Sequence, residues 1–257
     1  MLQDSQFIRY LRQIALPQIG EIGQQRLSSS HVLVIGCGGL GSAASLYLVA
    51  AGVGKLVIVD DDNVDLSNMQ RQVVYRQADV GKAKVQAMAE QLSELNGEVS
   101  VRAINKRLEA TQLGMEIMLA DLVLDCSDNL PTRHMINQLC FEKNTALVSA
   151  AAIGWQGQFA VFDFAQKDEQ QQPDLSCYRC LVPFDELPNT TKCSDSGVIG
   201  PVVGTLGNYQ ALAAIQKLAI GQFQFPTGQL HLFDGLTLKW QTMAISKDAQ
   251  CSVCNDD

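Results

Sequence analysis

Gly36, Gly38, Gly39 and Gly41 crowd into one six-residue stretch, and Asp60 follows Gly41 by 19 residues. Glycines so placed let a phosphate group approach the unpaired N–H donors of a helix N-terminus. A carboxylate at that distance is placed to meet a ribose hydroxyl. A second chemistry lies in the cysteines. Cys177 and Cys180 form one CxxC pair and Cys251 and Cys254 another, with 70 residues between them. Four thiolates in two such pairs suit tetrahedral zinc, and four protein ligands leave no open position, so the site reads as structural. Cys193 differs. It sits beside Lys192 in a polar stretch, where a neighbouring cation favours a thiolate, although an exposed loop cysteine is more often incidental. Cys37, Cys126 and Cys140 stand among apolar or glycine neighbours and read as small core residues.

Asp128 follows the apolar strand Leu122–Leu124, at the carboxyl edge where open α/β sheets bind ligands. Its carboxylate suits magnesium on a nucleotide, and it equally suits a plain helix cap before Pro131, for which Asn129 is the other candidate. Asn68, Arg71, Gln72 and Lys84 add donors and positive charge after Asp60, yet each alone fits a solvated surface. Arg12 is read the same way. His31, His134 and His231 are scattered and form no cluster.

These residues need a frame. Val32–Ile35 reads as a buried strand, the glycine turn leads into an apolar helix, and Leu56–Val59 supplies a second strand ending at Asp60. That is a βαβ nucleotide-binding unit. An amphipathic helix containing Phe7, Tyr10 and Ile14 precedes it, with a short helix near Gly23–Leu27. Beyond it the expected order is a helix from about Gly81, a strand over Val99–Ile104 and a helix near Ala110–Ala120. A strand at Leu122–Leu124, a helix to about Lys143 and a strand at Ala146–Ala150 follow. The rhythm is that of a largely parallel sheet. Gln158–Phe164, Leu230–Phe233 and Leu238–Ile245 lack intervening helices and read as antiparallel strands. A small-residue helix around Gly204–Ile220 lies between them, as does a polar segment, Gln166–Asp174, expected to be a mobile loop. The fold class is therefore α/β: a Rossmann-like nucleotide-binding fold whose mixed, largely parallel sheet is continued by antiparallel strands. One domain over residues 1–257 is expected.

A formal net charge of -8 argues against nucleic acid as the main partner, so any polyphosphate must be held by local cations and backbone N–H groups. No secretory signal opens the chain and no uninterrupted apolar run reaches spanning length, so no membrane is expected. The expected compartment is the cytoplasm, where eight cysteines suggest metal binding or reactivity before disulfides.

Taken together, Gly36–Gly41, Asp60–Val64, Leu66–Gln72, Asp125–Asn129 and the twin CxxC resemble the ThiF/MoeB family of activators of ubiquitin-like sulfur carriers, relatives of the ubiquitin-activating enzymes. The resemblance spans nearly the whole chain. It implies ATP as the nucleotide, with the glycine turn on the phosphates and Asp60 on the ribose. It implies that Ser67, Asn68, Arg71, Gln72, Lys84 and Asn129 surround the nucleotide, and that Asp128 holds magnesium. Arg12 matches an arginine that reaches the nucleotide of a partner subunit, which implies a homodimer. The implied reaction is adenylation of a carrier's C-terminal glycine carboxylate, with release of pyrophosphate. An NAD-dependent oxidoreductase would share the glycine turn and the acid but gives no reason for Arg71, Lys84 and Asp128 together. A carrier-binding adaptor without turnover is the non-enzymatic alternative.

Within the family, the stretch from Cys193 to Gly204 and Leu232–Gly235 look closer to the thiamine-pathway branch, with a ThiS-like carrier. A MoaD-like carrier of the molybdopterin pathway is the alternative. Cys193 matches the family cysteine linked to the carrier during sulfur transfer, with a cysteine desulfurase or sulfurtransferase as donor. The chain departs from its relatives in the tail after Cys254 and in the glutamines at 170–172.

Overall fold

The computed structural model describes residues 2–164, 176–185 and 197–255. Cys193 and the segment Gln166–Asp174 lie outside the described residues. The first half alternates strand and helix: α1 (Asp4–Ile14), α2 (Gly20–Ser29), β1 (His31–Ile35), α3 (Gly39–Ala51), β2 (Lys55–Asp60), α4 (Lys84–Leu95), β3 (Ser100–Asn105), α5 (Ala110–Leu119), β4 (Leu122–Asp125), α6 (Leu130–Glu142) and β5 (Ala146–Ile153). Then follow β6 (Gln156–Phe162), the short α7 (Tyr178–Leu181), α8 (Gly200–Ile220), β7 (Gln229–Asp234) and β8 (Lys239–Ala244).

All eight strands join one sheet in the order β3-β2-β1-β4-β5-β6-β7-β8. The pairs from β3 through to β5 are parallel and those from β5 to β8 antiparallel. The mixed sheet expected from the sequence is thus the one observed. Side chains alternate across each strand, and here both faces are covered, which is why the central strands are apolar throughout. Val32, Val34, Leu56 and Ile58 pack with Leu48 of α3, Met88 of α4 and Leu206 of α8. Leu33, Ile35, Val57 and Val59 pack on the other face with Ile117 of α5, Ile136 of α6 and the paired cysteines. No helix is long and apolar enough to cross a membrane among the described residues.

Two helices begin elsewhere than their patterns suggest. The small-residue helix α8 starts at Gly200 instead of near Gly204, with Pro201 in its first turn, where a missing N–H costs nothing. The helix expected from Gly81 starts at Lys84, because Gly81 sits at φ +91° and closes the turn before it.

The sheet order places a switch point between β1 and β4, from which the chain runs outward in both directions. Ligands of open α/β sheets bind in the crevice outside the carboxyl ends of such strands. The glycine turn follows β1 and Cys126–Asn129 follows β4, so the fold alone brings these two segments together.

Candidate active site

The glycines of the turn have separate duties. Gly36 sits at φ +99°, and a Cβ there would lie 2.5 Å from the Cys126 carbonyl oxygen. Gly41 is tighter still, since its Cβ would stand 1.9 Å from the Gly36 oxygen. A Cβ on Gly39 would meet Val203 Cγ1 at 2.5 Å and the Arg71 carbonyl oxygen at 3.0 Å. Those three let strand, helix and loop close on one another. Gly38 is different. Its Cβ position meets only Gln72 Nε2, at 3.8 Å, and no side chain caps α3, whose N-cap it is. The start of α3 therefore presents its unpaired N–H groups to open space beside Gly38.

Asp60 braces the turn. Its Oδ2 accepts from the Cys37 N–H at 2.7 Å and its Oδ1 from the Asp62 N–H at 2.9 Å. Tyr75 helps from behind, its hydroxyl donating to the Cys37 carbonyl at 2.7 Å. The next segment folds over the turn through a 3-10 turn at Leu66–Asn68, capped by Asp65. Ser67 donates both N–H and hydroxyl to Asp65 Oδ1, at 2.8 and 2.6 Å, so in this structure it shapes the turn. Arg71 donates from Nη2 to Asn68 Oδ1. Gln72 is 3% exposed, and its Oε1 has no hydrogen-bond partner among the described residues. A buried amide oxygen left unpaired beside an open helix N-terminus is a mark of a polar ligand site.

Lys84 is buried, and its ammonium donates to the exposed Asp62 carboxylate at 2.7 Å. At the end of β4, Asn129 is the cap of α6, accepting from the Thr132 N–H at 3.0 Å. Asp128 does not cap the helix. Its carboxylate is exposed, with one contact to Asn129 Nδ2 at 3.3 Å. A cleft of about 490 Å³ adjoins it, lined by Arg107, Asp128, Asn129, Pro131, Thr132 and Met135.

The structure therefore gathers the glycine turn, Asp60, Asn68, Arg71, Gln72, Lys84, Asp128 and Asn129 at one end of the sheet. It does not bring Arg12 there. The neighbouring Gln13 donates to Ala51 O, at the far end of α3 from the glycine turn. Thirteen helical residues separate the two ends, about 20 Å.

On the opposite face of the sheet the four paired cysteines converge. Their sulfurs all lie within 4.8 Å of one another, with Cys177 to Cys251 at 3.7 Å and Cys180 to Cys254 at 3.3 Å. None is in a disulfide. Sulfurs about 2.3 Å from a tetrahedral zinc stand about 3.8 Å apart, so the cluster fits that ion.

The chain matches the model of the ThiF family over residues 10–253. It belongs to the ThiF family. Two similar proteins come from Escherichia coli K12. The sulfur carrier protein ThiS adenylyltransferase is 44% identical over 253 residues, 98% of this chain and 97% of that protein. The molybdopterin-synthase adenylyltransferase is 39% identical over 254 residues, 98% of each. Among solved structures, E. coli MccB with MccA-N7isoASN superposes with a TM-score of 0.77 at 21% identity, covering 91% of this chain and 70% of that one. At that identity the superposition speaks for the fold alone.

Two other parts of this ThiF-family site, Arg133 and Gln210, carry no obvious signal in the sequence. Both are buried behind the crevice, as is Asp125. Gln210 donates from Nε2 to the Asp125 carbonyl at 2.9 Å and the Val148 carbonyl at 3.1 Å. Its sign in the sequence is a lone amide within the small-residue helix that became α8.

Proposed function

We propose that this chain is an adenylyltransferase that activates the C-terminal glycine carboxylate of a ubiquitin-like sulfur carrier with ATP, releasing pyrophosphate. The observation that carries the proposal is the juxtaposition of an uncapped helix N-terminus at Gly38, the unpaired Gln72 Oε1, the cations Arg71 and Lys84, and the exposed carboxylate of Asp128. ATP and magnesium fit an adenylyltransferase of this family. In this reading Asp60 holds the ribose, Gly36, Gly38, Gly39 and Gly41 shape the phosphate turn, and Asn68, Arg71, Gln72 and Lys84 hold the triphosphate. Asn129 fixes the turn from which Asp128 would hold magnesium, with Ser67 shaping the segment opposite. Arg107 and Met135 offer the cleft beside Asp128 a cation and an apolar wall for a base.

The chemistry asks little of the side chains as acids or bases. A glycine carboxylate is already ionised at neutral pH, so no proton need be abstracted. One carboxylate oxygen bonds to the α-phosphorus, the bond to the bridging oxygen breaks, and pyrophosphate leaves with the electron pair. Positioning and charge neutralisation then account for catalysis, which suits a site with cations and no histidine. Magnesium, when bound, shields the phosphate charges. Lys84 would exchange its exposed partner Asp62 for a phosphate without moving from its buried position.

Several finer readings go with this one. A ThiS-like carrier is favoured by the 44% relative, and a MoaD-like carrier is the alternative raised by the 39% relative. A homodimer is favoured by the placement of Arg12 away from its own chain's site. Structural zinc on Cys177, Cys180, Cys251 and Cys254 is favoured by the sulfur spacing. The seven cysteines among the described residues are free, which suits a reducing compartment such as the cytoplasm, and one adenylation domain over 1–257 suits the single sheet. Cys193 is the candidate for a later sulfur-transfer stage, with a desulfurase or sulfurtransferase as donor. Replacing it with serine should spare adenylation and lower thiocarboxylate yield.

ATP–pyrophosphate exchange with each purified carrier type supplied separately tests the proposal. Exchange only with the ThiS-like carrier supports the thiamine branch, and exchange only with the MoaD-like carrier moves the chain to the other branch. No exchange with either, from folded protein, overturns the proposal.

A further inference from the structure

Arg133 is 6% exposed on α6, one turn after the cap Asn129, and its guanidinium faces the strand ends instead of solvent. A buried arginine has to satisfy its donors, and this one does so completely enough to describe a clamp. Nη1 donates to Asp125 Oδ2 at 2.9 Å and to Ser149 Oγ at 3.1 Å. Nη2 donates to the Ala150 carbonyl at 2.9 Å and to the Ser127 carbonyl. The Ser127 carbonyl belongs to the peptide bond that leads into Asp128, and a peptide bond is planar. Holding that oxygen therefore fixes the plane from which the Asp128 Cα departs. The same turn is held from its other side by Asp125 Oδ1, which accepts from the Ser127 N–H at 3.0 Å and its hydroxyl at 2.6 Å. Asp128 itself is exposed and weakly tethered, so its backbone setting decides where its carboxylate stands.

We infer that Arg133 is a positioning residue for the magnesium carboxylate: by clamping Asp125, Ser149 and the Ser127 and Ala150 carbonyls, it aims Asp128 at the nucleotide. This rests on the reading of Asp128 as the magnesium-binding group. The planar fork is essential to it, because four acceptors on two sides are spanned by two terminal nitrogens. A lysine keeps the charge opposite Asp125 but places all its donors on one atom, so the carbonyl clamps are lost.

The test is binding of the fluorescent analogue mant-ATP as magnesium is titrated, in the wild type, Arg133→Lys, Ser149→Ala and Asp128→Asn. The expected result is a magnesium midpoint raised about tenfold or more in Arg133→Lys, the usual size for loss of a residue that orients a metal ligand. A smaller rise is expected in Ser149→Ala, which removes one acceptor and keeps the fork. A merely structural role would reduce the fraction of chain that binds and leave the midpoint where it was. If Asp128→Asn raises the midpoint while Arg133→Lys does not, the inference is overturned and the reading of Asp128 stands. If Asp128→Asn leaves the midpoint unchanged, both fall. Should Arg133→Lys fail to fold, an unmoved midpoint in Ser149→Ala overturns the inference and a raised one supports it.

Discussion

The Asp60 carboxylate accepts the Cys37 N–H at 2.7 Å, so the acid assigned to the ribose also holds the glycine turn in shape. Substitution there tests two things together. Asp60→Asn keeps one acceptor oxygen and should weaken ATP binding with a small loss of melting temperature. Asp60→Ala should weaken binding further and lower the melting temperature distinctly, since the Cys37 N–H then loses its partner. Calorimetry alongside nucleotide titration separates the two effects. Equal melting temperatures for both variants and the wild type would show that the turn holds its shape without Asp60.

The glycines of the turn should part company under mutation. Gly41→Ala forces a methyl to 1.9 Å from the Gly36 oxygen, a backbone atom that cannot swing aside as the end of a flexible side chain could. The expected cost is on the order of 3 kcal/mol or more, seen as poor folding or a large drop in melting temperature. Gly38→Ala meets only Gln72 Nε2 at 3.8 Å, so the fold should survive while the methyl intrudes on the phosphate space. Loss of ATP binding with a near-normal melting temperature is the expected outcome. Unchanged ATP binding in Gly38→Ala would place the phosphates elsewhere.

These contrasts show what the sequence could and could not disclose. The βαβ unit was legible because strand, turn, helix and acid follow one another within a short stretch, each with local chemistry that fixes it. Asp128 was legible as a strand-end acid, but whether it or Asn129 capped α6 depended on one hydrogen bond, to the Thr132 N–H. Arg133 was not legible. An arginine on a helix reads as solvated, and its burial follows only from how β4, β5 and α6 come together. The start of α8 was misplaced because Gly200 and Pro201 look like breakers, although proline fits a first helical turn.

Arg71 and Asp128 should each be needed for turnover and dispensable for folding. Asp128 is exposed and Arg71 half-buried, and neither is among the buried polar residues of the interior. Arg71→Ala and Asp128→Ala are expected to lower carrier-dependent ATP–pyrophosphate exchange about a hundredfold or more, the scale on which a charge-stabilising group acts. Circular dichroism should match the wild type. Near-normal exchange in either would remove that residue from the mechanism.

The turn that delivers Lys84 should make stability depend on pH. Asp79 Oδ2 accepts the Arg76 N–H at 2.9 Å, and its Oδ1 accepts from Lys82 Nζ at 3.0 Å. The Arg76 N–H first, and Lys82 second, hold this carboxyl below its ordinary value of 3.8. A folded value below the unfolded one gives stability that is present above 3.8 and lost as pH falls through the lower folded value. Asp79→Asn should therefore melt below the wild type at pH 7, with the gap closing in acid below about pH 4. A gap that persists undiminished at low pH would assign the effect to packing.

The zinc proposed for the four cysteines makes a further demand. Cys177, Cys251 and Cys254 are buried within the core on the α6 face, so the pairs tie the tail of the chain to its middle. Metal analysis should return zinc in the purified protein. Cys251→Ser or prolonged chelation should release it and lower the melting temperature, because binding free energy at such a site is folding free energy. Metal-free protein with the same melting temperature would leave the cluster as four packed thiols.

Arg12 gives the sharpest test of assembly. It lies in the last turn of α1, beside Gln13, which bonds Ala51 at the end of α3 remote from the crevice. If it acts, it acts on a partner's nucleotide. Arg12→Ala and Asp128→Asn should each be inactive alone, yet co-expression should recover activity. In the mixed dimer, the chain with intact Asp128 receives Arg12 from the other chain, restoring one site in two. Random pairing in a two-fold dimer then predicts about a quarter of wild-type exchange. Action within one chain predicts none, because every site in the mixed dimer keeps a defect of its own.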